Sequence, residues 1–206
     1  MFPLGMVVFP FQTVGLCVFE PRYRQMLRDL SEDAAEFATC LIARGSEVGG
    51  GDERTTVGTL VRIVASQALA DGKSLLMVEG QGCVRVHEWL PDAPYPRALV
   101  DERCCDDVDV EPALLASVES AVRALRALRS ELYLDESPMS DEHLSPDPKV
   151  RAWQLCAMTP MAVLDQFSVL SLSDPNDRLR LVAEICCERY GDYQRLLAGP
   201  EPLEWC

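Results

Sequence analysis

Apolar residues follow two rhythms along this chain. Through residue 103 they form short runs and alternations; beyond residue 111 they recur at steps of three and four. The run Met6-Val7-Val8-Phe9, closed by Pro10, predicts a first strand, and Leu16-Cys17-Val18-Phe19 a second. Tyr23, Met26, Leu27 and Leu30 then fall at helical spacing behind Pro21, which fits a first helical turn because its missing N–H costs nothing there. Phe37 to Ala43 reads as a buried strand bounded by Gly45, and Gly49-Gly50-Gly51-Asp52 as a loop. Val57, Thr59, Val61 and Ile63 alternate onto one face. Asp71-Gly72 signals a hairpin turn, with Leu75 to Val78 as its return strand. Gly80 and Gly82 predict a bulge or bend, Cys83 to Trp89 continues the strand, Pro91 to Pro96 turns, and Arg97 to Asp101 closes the set.

The acidic stretch Glu102 to Pro112 separates this part from a helical one. Leu114, Leu115, Val118, Val122, Leu125, Leu128 and Leu132 predict a long amphipathic helix. Asp135 to Pro148 reads as a loop and Lys149 to Met158 as a second helix. Thr159-Pro160 predicts an N-cap and first turn, starting a third helix with Met161, Leu164, Phe167, Val169 and Leu170 inward. Asp174-Pro175 starts a fourth, with Leu179, Leu181, Val182, Ile185, Tyr190, Leu196 and Leu197 on its core face and Gly199-Pro200 at its end. The fold class is α+β, with a β-rich domain at 1–103 and a helical bundle at 111–199.

Charge narrows the function. Among 206 residues, 33 are acidic and 19 basic, so the net charge is -14 and the overall field repels nucleic acid and anionic lipid. No apolar run reaches the roughly 18 residues of a membrane span, and Met1 to Pro10 lacks the basic start of a signal peptide. The expected setting is therefore cytoplasmic, with no nucleic-acid or membrane partner. Arginine dominates the basic residues, lysine occurring only at Lys73 and Lys149, which matches the usage of a GC-rich, bacterial genome. Nine cysteines without a CxxC read as structural thiols, and His87 and His143 stand alone, so no metal site and no cofactor are expected.

Catalytic signatures are absent from the sequence: it holds no GxxxxGK[ST] loop, no GxSxG elbow and no HExxH. His87 falls in a strand and His143 in a polar loop; Lys73 belongs to a turn and Lys149 to a helix start. The pairs Glu32-Asp33 and Asp106-Asp107 read as solvated charges. Two adjacent cysteine pairs, Cys104-Cys105 and Cys186-Cys187, have no histidine partners, and Cys206 ends the chain.

Five motifs in order resemble the amino-terminal domain of Lon proteases. They are Phe2-Pro3-Leu4-Gly5-Met6-Val7-Val8-Phe9-Pro10, Phe19-Glu20-Pro21-Arg22-Tyr23-Arg24, Val57-Gly58-Thr59-Leu60-Val61-Arg62-Ile63, Val78-Glu79-Gly80 with Arg85-Val86, and Tyr95-Pro96-Arg97-Ala98. Phe11 departs from that family's usual glycine and Cys83 from its frequent arginine. The resemblance implies a PUA-like β pseudo-barrel with one short helix, followed by a helical bundle. It implies recognition of unfolded or tagged proteins, with the ATPase and peptidase parts of such enzymes lying beyond the matched region. It thus implies a stand-alone, non-catalytic module. In that frame Glu20 complements a helix dipole, Gly5, Gly58 and Gly80 serve turns or close approaches, and Arg22 and Arg62 pair with acids.

The leading expectation is a protein- or peptide-binding module that contacts unfolded or partner proteins through Phe11, Trp89 and Tyr95, the large apolar side chains in turns. The alternative is a small-molecule-binding or enzymatic protein using a cleft between the β and helical halves. A third reading makes the helix from Glu111 an oligomerisation element. Convergent polar groups in a pocket favour the second reading, and a flat or apolar groove the first.

Overall fold

The computed structural model describes residues 1–30, 35–45, 51–69, 71–103, 108–132 and 144–198. Expectations at Glu32-Asp33, Gly49-Gly50, Cys104-Cys105, Asp106-Asp107, His143, Gly199-Pro200 and Cys206 lie outside these residues. The strands are β1 (Phe2–Leu4), β2 (Thr13–Val18), β3 (Glu36–Arg44), β4 (Glu53–Ala68), β5 (Ser74–Leu90) and β6 (Arg97–Arg103). The helices are α1 (Pro21–Asp29), α2 (Pro112–Leu132), α3 (Pro148–Met158), α4 (Val163–Ser171) and α5 (Pro175–Ala198).

The strands form one sheet ordered β1-β3-β4-β5-β2, with β6 also on β5. Among the described residues only the β1–β3 pair is parallel. The long strand β5 changes partner midway on one edge. Its residues 74–79 pair with β2 and 83–90 with β6, while β4 follows the other edge. The change falls at Gly80 and Gly82, where the ladder to β4 shifts register. Gly80 is required there, because a Cβ would run into the Phe9 carbonyl. Its N–H donates to the Gln12 carbonyl at 2.9 Å, and its own carbonyl accepts from Phe11 N–H at 2.8 Å. Gly58 is also a close approach, since its Cβ would meet the Thr39 carbonyl across β3. The hairpin between β4 and β5 turns at Gly72, φ 76°, with Leu69 N–H on the Lys73 carbonyl at 2.8 Å.

The run Met6 to Phe9 is not a strand; β1 lies four residues earlier. Val7, Val8 and Phe9 are all buried, and they serve two cores. Val8 packs inside the barrel with Val14, Leu16, Tyr23, Val61 and Val78. Val7 and Phe9 point the other way, into a cluster with Leu41, Val57, α2, α3 and α5. The Val8 carbonyl is satisfied by the Thr59 hydroxyl at 2.5 Å rather than by a ladder partner.

The helical half packs on this second core through Val118, Val122, Leu125, Leu155, Leu179 and Val182, each fully buried. Phe9 touches Trp153 with ring centroids 6.1 Å apart. Arg178, 1% exposed, lies with its guanidinium 3.4 Å from the Trp153 ring centroid and donates to the Leu172 carbonyl at 3.1 Å. Asp174 caps α5 as expected, accepting from Asn176 N–H at 2.7 Å. Other helical expectations fail. Thr159 caps the end of α3, its hydroxyl donating back to the Leu155 carbonyl at 2.6 Å, and α4 begins only at Val163. A Thr hydroxyl that binds the preceding turn is not free to cap the next one. Leu164 is 70% exposed, and Leu196 and Leu197 are exposed at the far end of α5.

Candidate functional site

The barrel carries an apolar outer surface across β2, β5 and the end of β4. Alternation along β2 sends Val14, Leu16 and Val18 inward and Thr13, Gly15 and Cys17 outward. On β5, Leu76 and Val78 are buried, while Leu75 and Met77 stand out with 42% and 43% exposure. A register shift in β4 after Ile63 places Ala65 opposite Met77 and Gln67 opposite Leu75. Together Gly15, Cys17, Ala65, Gln67, Leu75 and Met77 line a groove of about 620 Å³ with no charged side chain in its walls.

A second cavity, of about 280 Å³, lies on the other side of β2, between that strand and β1. Met6 and Phe19 stand exposed at it, and the two cavities share Gly15, Leu16 and Cys17. The result is one continuous tract running over β2, largely apolar, with Glu20 as the one charged side chain in its walls and its carboxylate paired with Arg22 at 3.2 Å. Its sulfur-bearing side chains Met6, Cys17 and Met77 are polarizable, and the two methionines are flexible, which suits contact with varied apolar partners.

Titratable groups give no acid–base pair at this surface. Burial pushes up Cys40 and Cys156 to about 12 and Cys186 to about 11, so these thiols are poor nucleophiles. Burial would also raise the Asp52 carboxyl, but the hydrogen bond and charge of Arg54 and the charge of Arg22 outweigh it and hold Asp52 below the usual range. Asp71 is lowered by its hydrogen bond with Lys73, at 2.6 Å. A depressed carboxyl stabilises the fold above its unfolded pKa and loses that contribution as pH falls through its folded one. Urea unfolding of Asp52→Asn is therefore expected to show a shallower loss of stability than wild type below about pH 4. An unchanged acid limb rules this role of Asp52 out.

Residues expected to pair do so: Arg22 with Glu20 at 3.2 Å and Arg62 with Glu36 at 2.6 Å. His87 is exposed, 3.9 Å from Asp101. Among the described residues, no group of three or more His, Cys, Asp or Glu is placed to hold a metal, and no helix is long and apolar enough to cross a membrane.

The three side chains singled out from the sequence are not brought together. Phe11 sits at the turn into β2 and is 42% exposed. Trp89 lies near the opposite end of β5, half-buried, with the Arg54 guanidinium 5.3 Å from its ring centroid. Tyr95 is half-buried and donates to Asp29 at 3.0 Å. None of them lines the groove or the cavity beside it. The sequence reading missed Gly15, Cys17, Leu75 and Met77. The signal was the unbroken run Leu75-Leu76-Met77-Val78 in a hairpin strand, where a solvated face calls for alternation.

Phe11 holds φ 60°, a left-handed conformation that glycine adopts freely and bulky residues avoid. Phe11→Gly is expected to be more stable than Phe11→Ala by about 1 kcal/mol, reversing the usual order. Paired urea melts check this, and alanine matching or exceeding glycine contradicts it.

A six-stranded sheet joined to a helical bundle, with an apolar groove on the outer surface of the sheet, defines an α+β fold. The chain belongs to the ATP-dependent protease La (LON) substrate-binding domain family, whose profile matches residues 1–188. It is 23% identical over 208 aligned positions to a LON peptidase N-terminal domain and RING finger protein of Schizosaccharomyces pombe, covering 87% of this chain and 43% of that protein. It is 28% identical to Lon protease 2 of Sorangium cellulosum, covering 85% of this chain and 22% of that one. The chain thus spans less than half the length of these relatives. The crystal structure of a Lon N-terminal domain protein from Xanthomonas campestris superposes with a TM-score of 0.64 at 25% identity, covering 89% of this chain and 95% of that one. The N-terminal domain of a Mycobacterium avium complex Lon protease shares the fold, with a TM-score of 0.58, 16% identity, and coverage of 90% and 97%.

Proposed function

We propose that this protein binds polypeptides, as a recognition module without catalysis of its own, through the apolar tract over β2 and β5. The observation that carries the reading is the groove of about 620 Å³ whose walls hold no charged group. Exposed apolar surface of this kind is retained for contact with other apolar surface. Membership of a substrate-binding family supports the same reading. Phe11, exposed at the entry to β2, is kept as a contact; Trp89 and Tyr95 are assigned to supporting the barrel through Arg54 and Asp29. The cleft reading is less well supported. Val7, Phe9, Leu41 and Val57 fill the contact between the halves, and a cavity there, between Gly58 and Leu170, measures about 10 Å³, no more than one water needs.

The test compares binding of a chemically denatured client with its native form, for wild type and for Leu75→Glu/Met77→Glu. Wild type is expected to bind the denatured client preferentially. The variant is expected to bind it at least tenfold more weakly while its stability changes by only about 0.5 kcal/mol per site. Equal binding of native and denatured client, or full binding by the variant, overturns the reading.

A further inference from the structure

Resting on that reading, we propose how the polypeptide is held: an extended segment adds to the open edge of β2 as a further strand, in the cleft between β2 and β1. Both β1 and β2 end the strand order, and among the described residues β2 pairs with β5 alone. The hydrogen-bond phase follows from the Gly80 N–H bond to the Gln12 carbonyl. Two residues on, Val14, Leu16 and Val18 direct their backbone groups at β5. Thr13, Gly15 and Cys17 therefore direct theirs at the open edge. A largely apolar cavity of about 280 Å³, with Glu20 as the one charged side chain in its wall, lies beside that edge and takes the side chains of an added strand.

Gly15 is the second observation. Gly58 and Gly80 are glycines because a Cβ there would strike a backbone carbonyl. Nothing of that kind applies at Gly15, where φ is not positive and a Cβ would meet only Met77 Sδ, at 3.7 Å. A glycine weakens a strand, and one that its own fold does not need marks where another chain comes close. Here it clears the middle of the outer face of β2. A large side chain on an added strand, opposite Gly15, leans across it onto Met77, the residue paired with Gly15 on β5.

The occupant is an extended client segment with an aromatic residue at its centre and lysine or arginine at its ends. The apolar walls call for the first, and a chain of net charge -14 calls for the second.

The probe is a fluorescein-labelled peptide of alternating valine and threonine, with a central phenylalanine and a lysine at each end. Binding is read by anisotropy. Two companion peptides are N-methylated on alternate backbone amides, one in each phase, and a third carries glutamate ends. Wild type is expected to bind the probe, and at least tenfold more weakly both the glutamate-ended peptide and the peptide methylated in the phase that faces β2; Gly15→Val is expected to bind the probe at least tenfold more weakly than wild type does. Gly191→Ala, at an open position on α5, is expected to bind as wild type does. If both methylated peptides bind as well as the probe, edge addition is wrong while polypeptide binding by side-chain contact survives. If the glutamate-ended peptide binds equally, the charge match is wrong. If denatured client binds but the probe does not, edge addition is again overturned; if neither binds, the proposed function falls with it. Concentration-dependent dimers that the probe cannot displace assign the edge to a second copy and overturn the proposal. If Gly15→Val does not fold, the methylated peptides decide on wild type.

Discussion

Gly80→Ala is expected to lose about 3 kcal/mol of stability or more, a large share of the roughly 5–15 kcal/mol that holds a typical domain folded. The added Cβ would collide with the Phe9 carbonyl, and neither partner can yield easily. Phe9 is 1% exposed and wedged against Trp153, and the next residues are pinned by the bonds between Gly80, Phe11 and Gln12. Gly58→Ala is expected to cost a similar amount through the Thr39 carbonyl. Gly15→Ala is expected to stay within about 0.5 kcal/mol of wild type, because its Cβ finds only Met77 Sδ at contact distance. Urea midpoints of the three variants separate close approaches from the open position. Similar losses at all three contradict the assignment of Gly15 as a position its own fold leaves free.

Arg178→Ala carries the second large effect, about 3 kcal/mol or more. The side chain is 1% exposed and lies against Trp153 in the core that joins the barrel to the helices. Truncation removes the cation–π contact and the hydrogen bond to the Leu172 carbonyl at the entry to α5, and leaves a cavity. Arg178→Met refills most of the volume without a charge and is expected to recover part of the loss. Because the same core holds Phe9, Val57 and Leu179, the β and helical halves are expected to unfold in one transition, followed by tryptophan fluorescence and circular dichroism together. Two separated transitions contradict a shared core.

The barrel was legible wherever local chemistry and tertiary demand agree. Val57, Thr59 and Val61 alternate because one face of β4 is buried, and Asp71-Gly72 turns because Gly72 takes a positive φ. Pro21 begins α1 and Asp174 caps α5 for reasons written within a few residues. Misreadings arose where one segment serves two masters. Val7-Val8-Phe9 has the apolar density of a strand, but its side chains divide between two cores and it joins no strand ladder among the described residues. Thr159-Pro160 has the form of a helix start, yet the Thr159 hydroxyl is taken by Leu155. The candidate site was hidden for a related reason. Large aromatic residues in turns drew attention to Trp89 and Tyr95, which Arg54 and Asp29 engage. Leu75 and Met77 sit in an unbroken apolar run of a return strand, and only the sheet order turns them outward beside Gly15 and Cys17.

The most direct test of polypeptide recognition on this face is a methyl spectrum of protein labelled at the methionine methyls, titrated with a denatured client. Met6 and Met77 stand exposed at the tract, Met26 is buried inside the barrel, and Met158 and Met161 pack on the helical core. Selective shifts of the Met6 and Met77 methyls, with Met26, Met158 and Met161 unmoved, are the predicted result. Shifts confined to Met158 and Met161, or no shifts while the client binds, place recognition elsewhere and contradict the account.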